Sequence, residues 1–518
     1  MKPLRFNPYK SIIPLAGAIL LLFGCSKEIE TIDPAGALEP VSLDENAGNW
    51  NMIILNSPDQ IAVAAPADVN SAAYQQELAS IKTLQENLTN DQRKAIDYWK
   101  SGGIIRWNEI MRDLVARFNL PAAPVNDKTY PAPDPDNPFS DPEFPFSNPP
   151  YASRAYSYVC VGQYEALKAA WYYKFLYKRP SPAKTDNSIK ALMPVTDLPA
   201  YPSEEAVMSA VSAEILKAMF PVAVEEITIK AGEQRNAALW SGKATASDLA
   251  AGVALGKAVA ALVMARASTD GMKNAIGTPA IWQALADSAT ARGEIAWISL
   301  ETPKRPPMLP LFGKVLGWNM TPQDIVEVRP GPPPSTSSDE MKAQLAEVKQ
   351  AVNHLTREQL ATVYKWADGA GTSCPPGHWN EIVTSDLRKV QFSEVRTARV
   401  FALLNMALHD ACLTCWDTKY AYYNPRPSQL DPTIKTVTGL PNFPSYISGH
   451  STYSEAAATV LSYLFPDRSQ AYYSMADEAA LSRLYGGIHY RADIEVGKGQ
   501  GKIAGQHTVD YAKTDGAD

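Results

Sequence analysis

The sequence lacks any run of basic residues that could follow a phosphodiester backbone. Its 48 lysines and arginines are outnumbered by 55 aspartates and glutamates, which gives a formal net charge of -7. The charge balance therefore argues against a nucleic-acid partner. At 518 residues the chain exceeds the length at which one hydrophobic core stops growing, so we expect two or more core-forming units.

Cysteine is also scarce, with five residues in the whole chain. Cys412 and Cys415 form a CxxC pair inside FALLNMALHDACLTCWD, a stretch with the pattern of a helix. No second CxxC or nearby histidine completes a zinc set around them. We therefore interpret the pair either as buried small apolar side chains or as one disulfide.

Near the N-terminus, the apolar run SIIPLAGAILLLFG follows three basic residues and is too short for a comfortable membrane span. Residues 22–25, LFGC, resemble a bacterial lipobox, in which the cysteine is acylated after cleavage. The pattern predicts a lipoprotein signal peptide over 1–24, a lipid on Cys25 and a tether over 25–50. The expected location is the bacterial cell envelope, exported to the periplasmic or surface side. The alternative is an ordinary signal peptide in which Cys25 is incidental.

Strand-like alternation is scarce, whereas apolar residues recur at helical spacing along most of the chain. One such stripe consists of Val207, Val211, Ile215 and Met219. The sequence therefore predicts an all-α protein. Proline-rich stretches at 131–150 and 302–340 interrupt the helical pattern. We predict an N-terminal helical unit over 51–301, a proline-rich connection over 302–340 and a C-terminal helical bundle over 341–518.

Two stretches of the chain resemble each other at a nearly constant offset of about 245 residues. Residues 199–221 align without a gap to residues 444–466, and matching residues continue on both sides. A gap of two residues brings Arg179 against Arg426. The repetition predicts an internal duplication, with two related helical bundles packed together.

Three blocks of the second copy combine the groups that bind an oxyanion: KYAYYNPRP, PSYISGHS and SRLYGGIHYRAD. Fixed cations and hydrogen-bond donors are what several negative oxygens require. Arginine can also hold two oxygens at once, and glycine lets an anion approach the main chain closely. The helix predicted after SGH would direct its positive N-terminal end to the same anion. The candidate oxyanion-binding residues are Lys419, Arg426, Ser448, Gly449 and Arg483.

His450 and His489 are the candidate groups for nucleophilic attack, ligation or proton transfer near neutral pH. Asp493 follows His489 by four residues, so one helical turn would place its carboxylate on one imidazole nitrogen. The other nitrogen would then be free and basic. We predict His450, His489 and Asp493 as the catalytic residues.

The order K-x6-RP, SGH, then SR-x5-H-x3-D resembles the signature of the superfamily of type 2 phosphatidic acid phosphatases, class A acid phosphatases and vanadium-dependent haloperoxidases. The duplicated layout is similar to haloperoxidases, and above all to bacterial haloperoxidase-like lipoproteins. The resemblance implies that His489 binds vanadate or attacks phosphorus, that His450 is the acid/base and that Asp493 orients His489. One departure is Ile447, which stands where the family usually has proline.

The resemblance leaves two activities open. A haloperoxidase would use vanadate as its cofactor and oxidise halide with peroxide, whereas an acid or lipid phosphatase would need no cofactor and form a phosphohistidine. A catalytically silent surface lipoprotein is the alternative outside the enzymes. The partners predicted are a small-molecule substrate and, through the N-terminal lipid, a membrane.

Three further residues are candidates for lining the pocket. Phe443 matches a position that is aromatic in chloroperoxidase-like members and lies near the halide, and a packed core ring is an equal alternative. His378 and His409 lie in short stretches similar to those of haloperoxidase-like proteins, although a packed structural histidine is the better interpretation of each. In the first copy Glu205 and Ala244 replace the two catalytic histidines, so we expect that copy to be inactive.

Overall fold

A computed structural model describes residues 36–119, 148–301 and 304–517, and this part of the chain contains helices and no strand. Cys25, the signal peptide and residues 131–147 of the first proline-rich stretch lie outside these ranges. The first half contains α1 (Ala72–Glu86), α2 (Asn90–Trp99), α3 (Gly103–Phe118), α4 (Pro149–Tyr177), α5 (Pro182–Thr185), α6 (Glu204–Met219), α7 (Val224–Trp240), α8 (Ala246–Thr269) and α9 (Pro279–Ala291). The prediction of an all-α protein is confirmed.

The second half repeats the pattern of the first. It contains α10 (Pro322–Glu327), α11 (Asp339–Asn353), α12 (Arg357–Lys365), α13 (Cys374–Val390), α14 (Glu394–Tyr422), α15 (Pro427–Leu430), α16 (Gly449–Leu464), α17 (Ser469–Tyr485) and α18 (Arg491–Ala512). Short 3-10 turns occur at Glu45–Asn49, Pro221–Ala223, Met272–Asn274, Phe312–Lys314 and Pro466–Arg468.

The internal duplication is visible helix by helix. Helices α4 and α14 each have 29 residues, α6 and α16 each have 16, and α7 and α17 each have 17. Each helix from α4 to α8 begins 245 residues before its counterpart from α14 to α18. We call α4–α8 the N-terminal copy and α14–α18 the C-terminal copy. The boundaries proposed at 301 and 341 stay a prediction.

The constant offset corrects one detail of the sequence alignment. Helix α5 begins at Pro182 and α15 begins at Pro427, so no gap separates the copies here. The backbone agrees, because the Ala200 amide donates to the Arg179 carbonyl as the Ser445 amide donates to the Asn424 carbonyl. Arg179 is therefore equivalent in position to Asn424 and not to Arg426.

The two longest helices, α4 and α14, pack against each other in the centre of the molecule. Both are buried around almost their whole circumference, which explains why neither shows a narrow apolar stripe. Each begins at a side-chain cap, Asn148 in α4 and Ser393 in α14. Buried ion pairs tie each helix to the end of its own copy: Arg154 to Asp270 and Arg399 to Asp515, both at 2.7 Å.

Glycine allows the helix pairs α6–α8 and α16–α18 to approach closely. A Cβ on Gly501 would lie 2.2 Å from the carbonyl oxygen of Thr452, and one on Gly256 would lie 2.6 Å from that of Val207. Within the described residues one helical stretch, Ala246–Asn274, is apolar and long enough to cross a membrane, with mean hydropathy 1.7. It contains α8, whose packing on α6 matches that of α18 on α16.

Candidate active site

Lys419 lies in the last turn of α14 and is completely buried. Its Nζ donates to the carbonyl oxygens of Pro444, Ser445 and Ile447, at 2.9, 2.9 and 2.5 Å. Burial, opposed by the nearby Cys415 thiol, lowers the pKa of Lys419 to about 7. Lys419 thus holds the loop that precedes SGH. Ile447 accepts through its backbone carbonyl, which a proline at this position would also provide.

Arg426 extends from the N-cap of α15 across the same loop. Its Nε and Nη2 donate to the Phe443 carbonyl at 3.1 Å, and its Nη1 donates to the Ile488 carbonyl at 2.7 Å. The same Nη1 lies 3.1 Å from Nε2 of His489. The Arg426 guanidinium therefore connects the loop at Phe443 with the segment that contains Ile488 and His489.

His489 is oriented by the carboxylate that sequence spacing predicts. Its Nδ1 lies 2.8 Å from Oδ2 of Asp493, and the same oxygen accepts from the Ser445 hydroxyl at 2.5 Å and from the Tyr490 amide at 3.2 Å. Because a carboxylate accepts at Nδ1, that nitrogen carries the proton and Nε2 carries the lone pair. The nucleophilic nitrogen therefore faces Arg426.

The electrostatics keep His489 neutral. Burial lowers its pKa well below the usual value, and the positive charges of Arg426 and Lys419 lower it further. Burial also raises the pKa of Asp493 to about 6, against the Ser445 hydrogen bond and Lys419. The cationic side chains of Lys419, Arg426 and Arg483 thus act on a neutral imidazole and one carboxylate. This excess of positive charge suits a bound anion.

Arg483, the third cation, comes from the end of α17 and is buried. Its Nε donates to the Ser482 hydroxyl at 2.8 Å, and burial lowers its pKa to about 10. The charge of Arg483 also contributes to the low pKa values of His450 and His489. All three predicted cations therefore lie close enough to His489 to lower its pKa.

Ser448 and Gly449 form the start of α16. The Ser448 side chain caps the helix by accepting from the Ser451 amide at 3.3 Å, and its own amide donates to the Asp493 carbonyl at 2.9 Å. A Cβ on Gly449 would meet only one atom within 4 Å, a ring carbon of Tyr453 at 3.9 Å. The first turn of this helix therefore presents amide groups without intrahelical partners beside an open space.

His450 contacts a residue that the sequence motifs do not reveal, Asp368. Nε2 of His450 lies 3.3 Å from Oδ2 of Asp368, and Oδ1 of the same carboxylate lies 3.0 Å from Nδ1 of His378. Asp368 lies in the loop between α12 and α13 with a φ of 45°. No spacing pattern links this loop to SGH, so its role emerges only from the fold.

The remaining candidates separate into two groups. Phe443 lies in the site, with its ring 5.0 Å from Nζ of Lys419 and 5.1 Å from Cζ of Arg426. His409 is completely buried ten residues before Lys419 on α14, about 15 Å along the helix, and packs edge-on against Phe312. His378 therefore lies beside Asp368 and His450, whereas His409 is placed as a core histidine.

Cys412 and Cys415 are free and buried. Cys412 accepts from the Tyr453 hydroxyl at 2.6 Å, and Cys415 lies 3.7 Å from the Ile447 carbonyl. Of the two interpretations of the CxxC pair, the structure has the buried small side chains. Across the described ranges, no cluster of histidine, cysteine and acidic residues has the form of a metal site.

The N-terminal copy holds a carboxylate where the C-terminal copy has Gly449. Glu204 accepts from Lys174 at 2.6 Å and from Lys243 at 2.9 Å. Lys174 also donates to Pro199, as its counterpart Lys419 donates to Pro444. Glu205, at the position of His450, lies 2.7 Å from Lys243. The protein's own carboxylates thus neutralise the cations of this copy.

Comparison with known proteins finds similarity in one part of the sequence and in the fold. Residues 399–514 match the family model of the PAP2 superfamily. A bacterial vanadium-dependent iodoperoxidase is similar in fold, with TM-score 0.54 and 24% identity, over 70% of this chain and 91% of that one. An apo-type bacterial vanadium-dependent chloroperoxidase has TM-score 0.50 and 12% identity, over 70% and 92% of the two chains. No curated protein matches the sequence. Residues 399–514 are therefore similar to the PAP2 superfamily, and the chain shares the all-α fold of these vanadium-dependent haloperoxidases.

Proposed function

We propose that this protein is a vanadium-dependent haloperoxidase-like enzyme, which binds vanadate at His489 and oxidises halide with hydrogen peroxide. One observation carries the proposal. Nε2 of His489, made nucleophilic by the Nδ1 contact with Asp493 at 2.8 Å, is directed into a buried cluster of cations. The duplicated helical architecture supports the oxidative activity over hydrolysis.

The residues fit an oxyanion bound at His489. Lys419, Arg426 and Arg483 are all buried, and a bound anion would compensate the charge that they leave in excess. The amide groups at the start of α16 and the open side of Gly449 add hydrogen-bond donors without steric hindrance. Vanadate, when bound, would supply the centre at which peroxide becomes reactive towards halide.

The side chains of the protein would bind the anion, orient His489 and transfer protons. The arginines hold and neutralise the anion, Asp493 keeps the proton on Nδ1 of His489, and His450 carries protons to and from the site. Burial followed by the charge of Arg483 lowers the pKa of His450 to about 4, so this imidazole is neutral and able to accept a proton near pH 7. Phe443 would give the halide an apolar neighbour beside two cations.

A phosphatase is the second candidate, and the match of residues 399–514 to the PAP2 superfamily supports it. In that reaction Nε2 of His489 attacks phosphorus and His450, in the protonated form that acidic pH favours, protonates the leaving oxygen. Water then cleaves the phosphohistidine. The two reactions use the same pocket because five-coordinate vanadate resembles the transition state of phosphoryl transfer.

Two activity measurements separate these candidates. The full chain, purified in detergent without phosphate, is divided between orthovanadate and buffer and tested for halide-dependent halogenation and for hydrolysis of p-nitrophenyl phosphate. Halogenation that requires vanadate and disappears in His489→Ala supports the peroxidase. Hydrolysis that vanadate inhibits supports the phosphatase. His354→Ala is the matched control, because this histidine is exposed at the end of α11. Absence of both activities would refute the proposal of an enzyme.

We also propose that the protein is a lipoprotein of the bacterial cell envelope, attached through an acylated Cys25. The support is the sequence of residues 1–25, with its basic start, apolar run and LFGC. Metabolic labelling with a fatty acid should mark the wild-type chain and not Cys25→Ala. Equal labelling of both chains would contradict the lipid at Cys25.

A further inference from the structure

Two histidines share the carboxylate of Asp368. Oδ1 forms a hydrogen bond of 3.0 Å with Nδ1 of His378, whereas Oδ2 lies 3.3 Å from Nε2 of His450, an ion-pair contact without hydrogen-bond geometry. Only 8% of the Asp368 side chain is exposed, so water competes weakly for its two oxygens. The carboxylate is therefore a bridge between the proposed acid/base residue and a second imidazole.

His378 is held in place for this contact. Its ring stacks on Trp366, with ring centroids 4.3 Å apart and an interplanar angle of 26°. Trp366 is itself buried and packs against Trp379 of α13, the helix that carries His378. The stacking leaves the imidazole plane fixed while Nδ1 points to the carboxylate, which is the arrangement expected of a residue that orients another.

The charges around His450 act in opposite directions. Burial, Arg483 and His378 lower the pKa of His450 and Asp368 raises it, with a net value of about 4. For Asp368 burial would raise the pKa, but the contacts with His378 and His450 outweigh it and lower the value. The titratable or charged groups that face His450 are Asp368, His378, Arg483 and His489.

We propose that His378 is a positioning residue that controls the acid/base histidine by competing with His450 for the carboxylate of Asp368. A proton on His378 draws Asp368 towards itself and disfavours a proton on His450, whereas neutral His378 leaves the carboxylate to His450. The inference rests on the proposed acid/base role of His450, and it holds for either reaction at His489. It assigns a use to a histidine that lies outside the motifs.

The test is a titration of His450 by NMR in the ligand-free full chain, since six histidines give few signals and His450→Gln identifies the one of interest. His378→Phe keeps an aromatic ring on Trp366 and removes the competitor, so the pKa of His450 should rise. Asp368→Asn removes the attractive charge, so the pKa of His450 should fall by about 1–3 units. His354→Phe is the control and should leave the titration unchanged.

Opposite shifts in the two variants support competition for one carboxylate. An unchanged or lowered His450 pKa in His378→Phe would overturn the proposal, whether or not Asp368→Asn folds. In the active enzyme, the acidic limb of kcat against pH should move up in His378→Phe with KM unchanged. The titration needs no vanadate, halide or ester, so it gives its answer even if the unmodified chain lacks both activities, which is the separate failure of the proposed function.

Discussion

His489 and Asp493 lie 2.8 Å apart, Nδ1 to Oδ2, across the start of α18, and the Asp493 carbonyl also accepts from the amide of Ser448. One residue therefore connects the histidine to the first turn of α16. The N-terminal copy preserves the backbone part of this connection, between Asp248 and Ser203 at 3.0 Å, but has Ala244 in place of the histidine.

We predict that Asp493→Asn lowers kcat/KM by about 10–100-fold, because the amide no longer fixes the tautomer of His489. The affinity for vanadate should fall as well. It can be measured by calorimetry or by the halogenation rate at increasing concentrations of vanadate. Asp248→Asn is the matched control at the equivalent position and should leave the activity per folded molecule unchanged. Equal losses in both variants would mean that Asp493 acts only on stability.

A second prediction concerns the packing of α16 on α18. Gly501→Ala should reduce the free energy of unfolding by about 1–3 kcal/mol and lower activity, because its Cβ would lie 2.2 Å from the Thr452 carbonyl oxygen. Gly499→Ala, on the same helix with no atom within 4 Å of its Cβ, should be neutral or stabilising. Urea unfolding of the two variants measures the difference, and similar values would contradict the close packing.

A third prediction concerns the stability of the N-terminal copy in acid. Burial would raise the pKa of Glu204, but Lys174 and Lys243 outweigh it and lower the value to about 2, from 4.5. Because the pKa is lower in the folded state, the stabilisation is present above pH 4.5 and is lost as the pH falls from 4.5 to about 2.

Glu204→Gln should therefore be less stable than the wild type at pH 6, and the difference should shrink in this acidic window. Urea unfolding at several pH values gives the comparison. A difference that stays constant with pH would show that the carboxylate charge of Glu204 contributes nothing.

The fourth prediction follows from the buried thiols. The side chains of Cys160, Cys374, Cys412 and Cys415 are buried, and burial raises the pKa of each thiol. A thiol reagent should therefore find none of these four in the native protein and all four after unfolding without reductant, measured in Cys25→Ala. Two reactive thiols after unfolding would instead indicate the disulfide that the CxxC spacing left open.

The sequence predicted the helices and the duplication because both leave repeated local signals. Apolar residues at helical spacing mark α6, where Val207, Val211 and Ile215 are all buried. The four-residue spacing of His489 and Asp493 likewise reports a contact within one turn. Such features depend on neighbours along the chain, so they can be read without the fold.

Contacts between distant loops could not be predicted in the same way. Asp368 meets His450 only because α13 packs on α16, and the sequence around Asp368 matches no motif. His378 and His409 were equivalent as candidates, yet one contacts Asp368 and the other packs against Phe312. For Arg179 the sequence misled in the opposite way. Residue identity paired it with Arg426, whereas the backbone hydrogen bonds make it equivalent to Asn424.

By itself, then, the sequence determined the all-α class and the two copies, and it predicted the anion-binding residues, because helical periodicity and short motifs are properties of neighbouring residues. Only the tertiary structure decided which charges face each other. It directed Nε2 of His489 at Arg426, placed Glu204 against the cations of the N-terminal copy and placed the carboxylate of Asp368 between His450 and His378. The physical reason is that burial strengthens such charges, and burial depends on how remote helices pack.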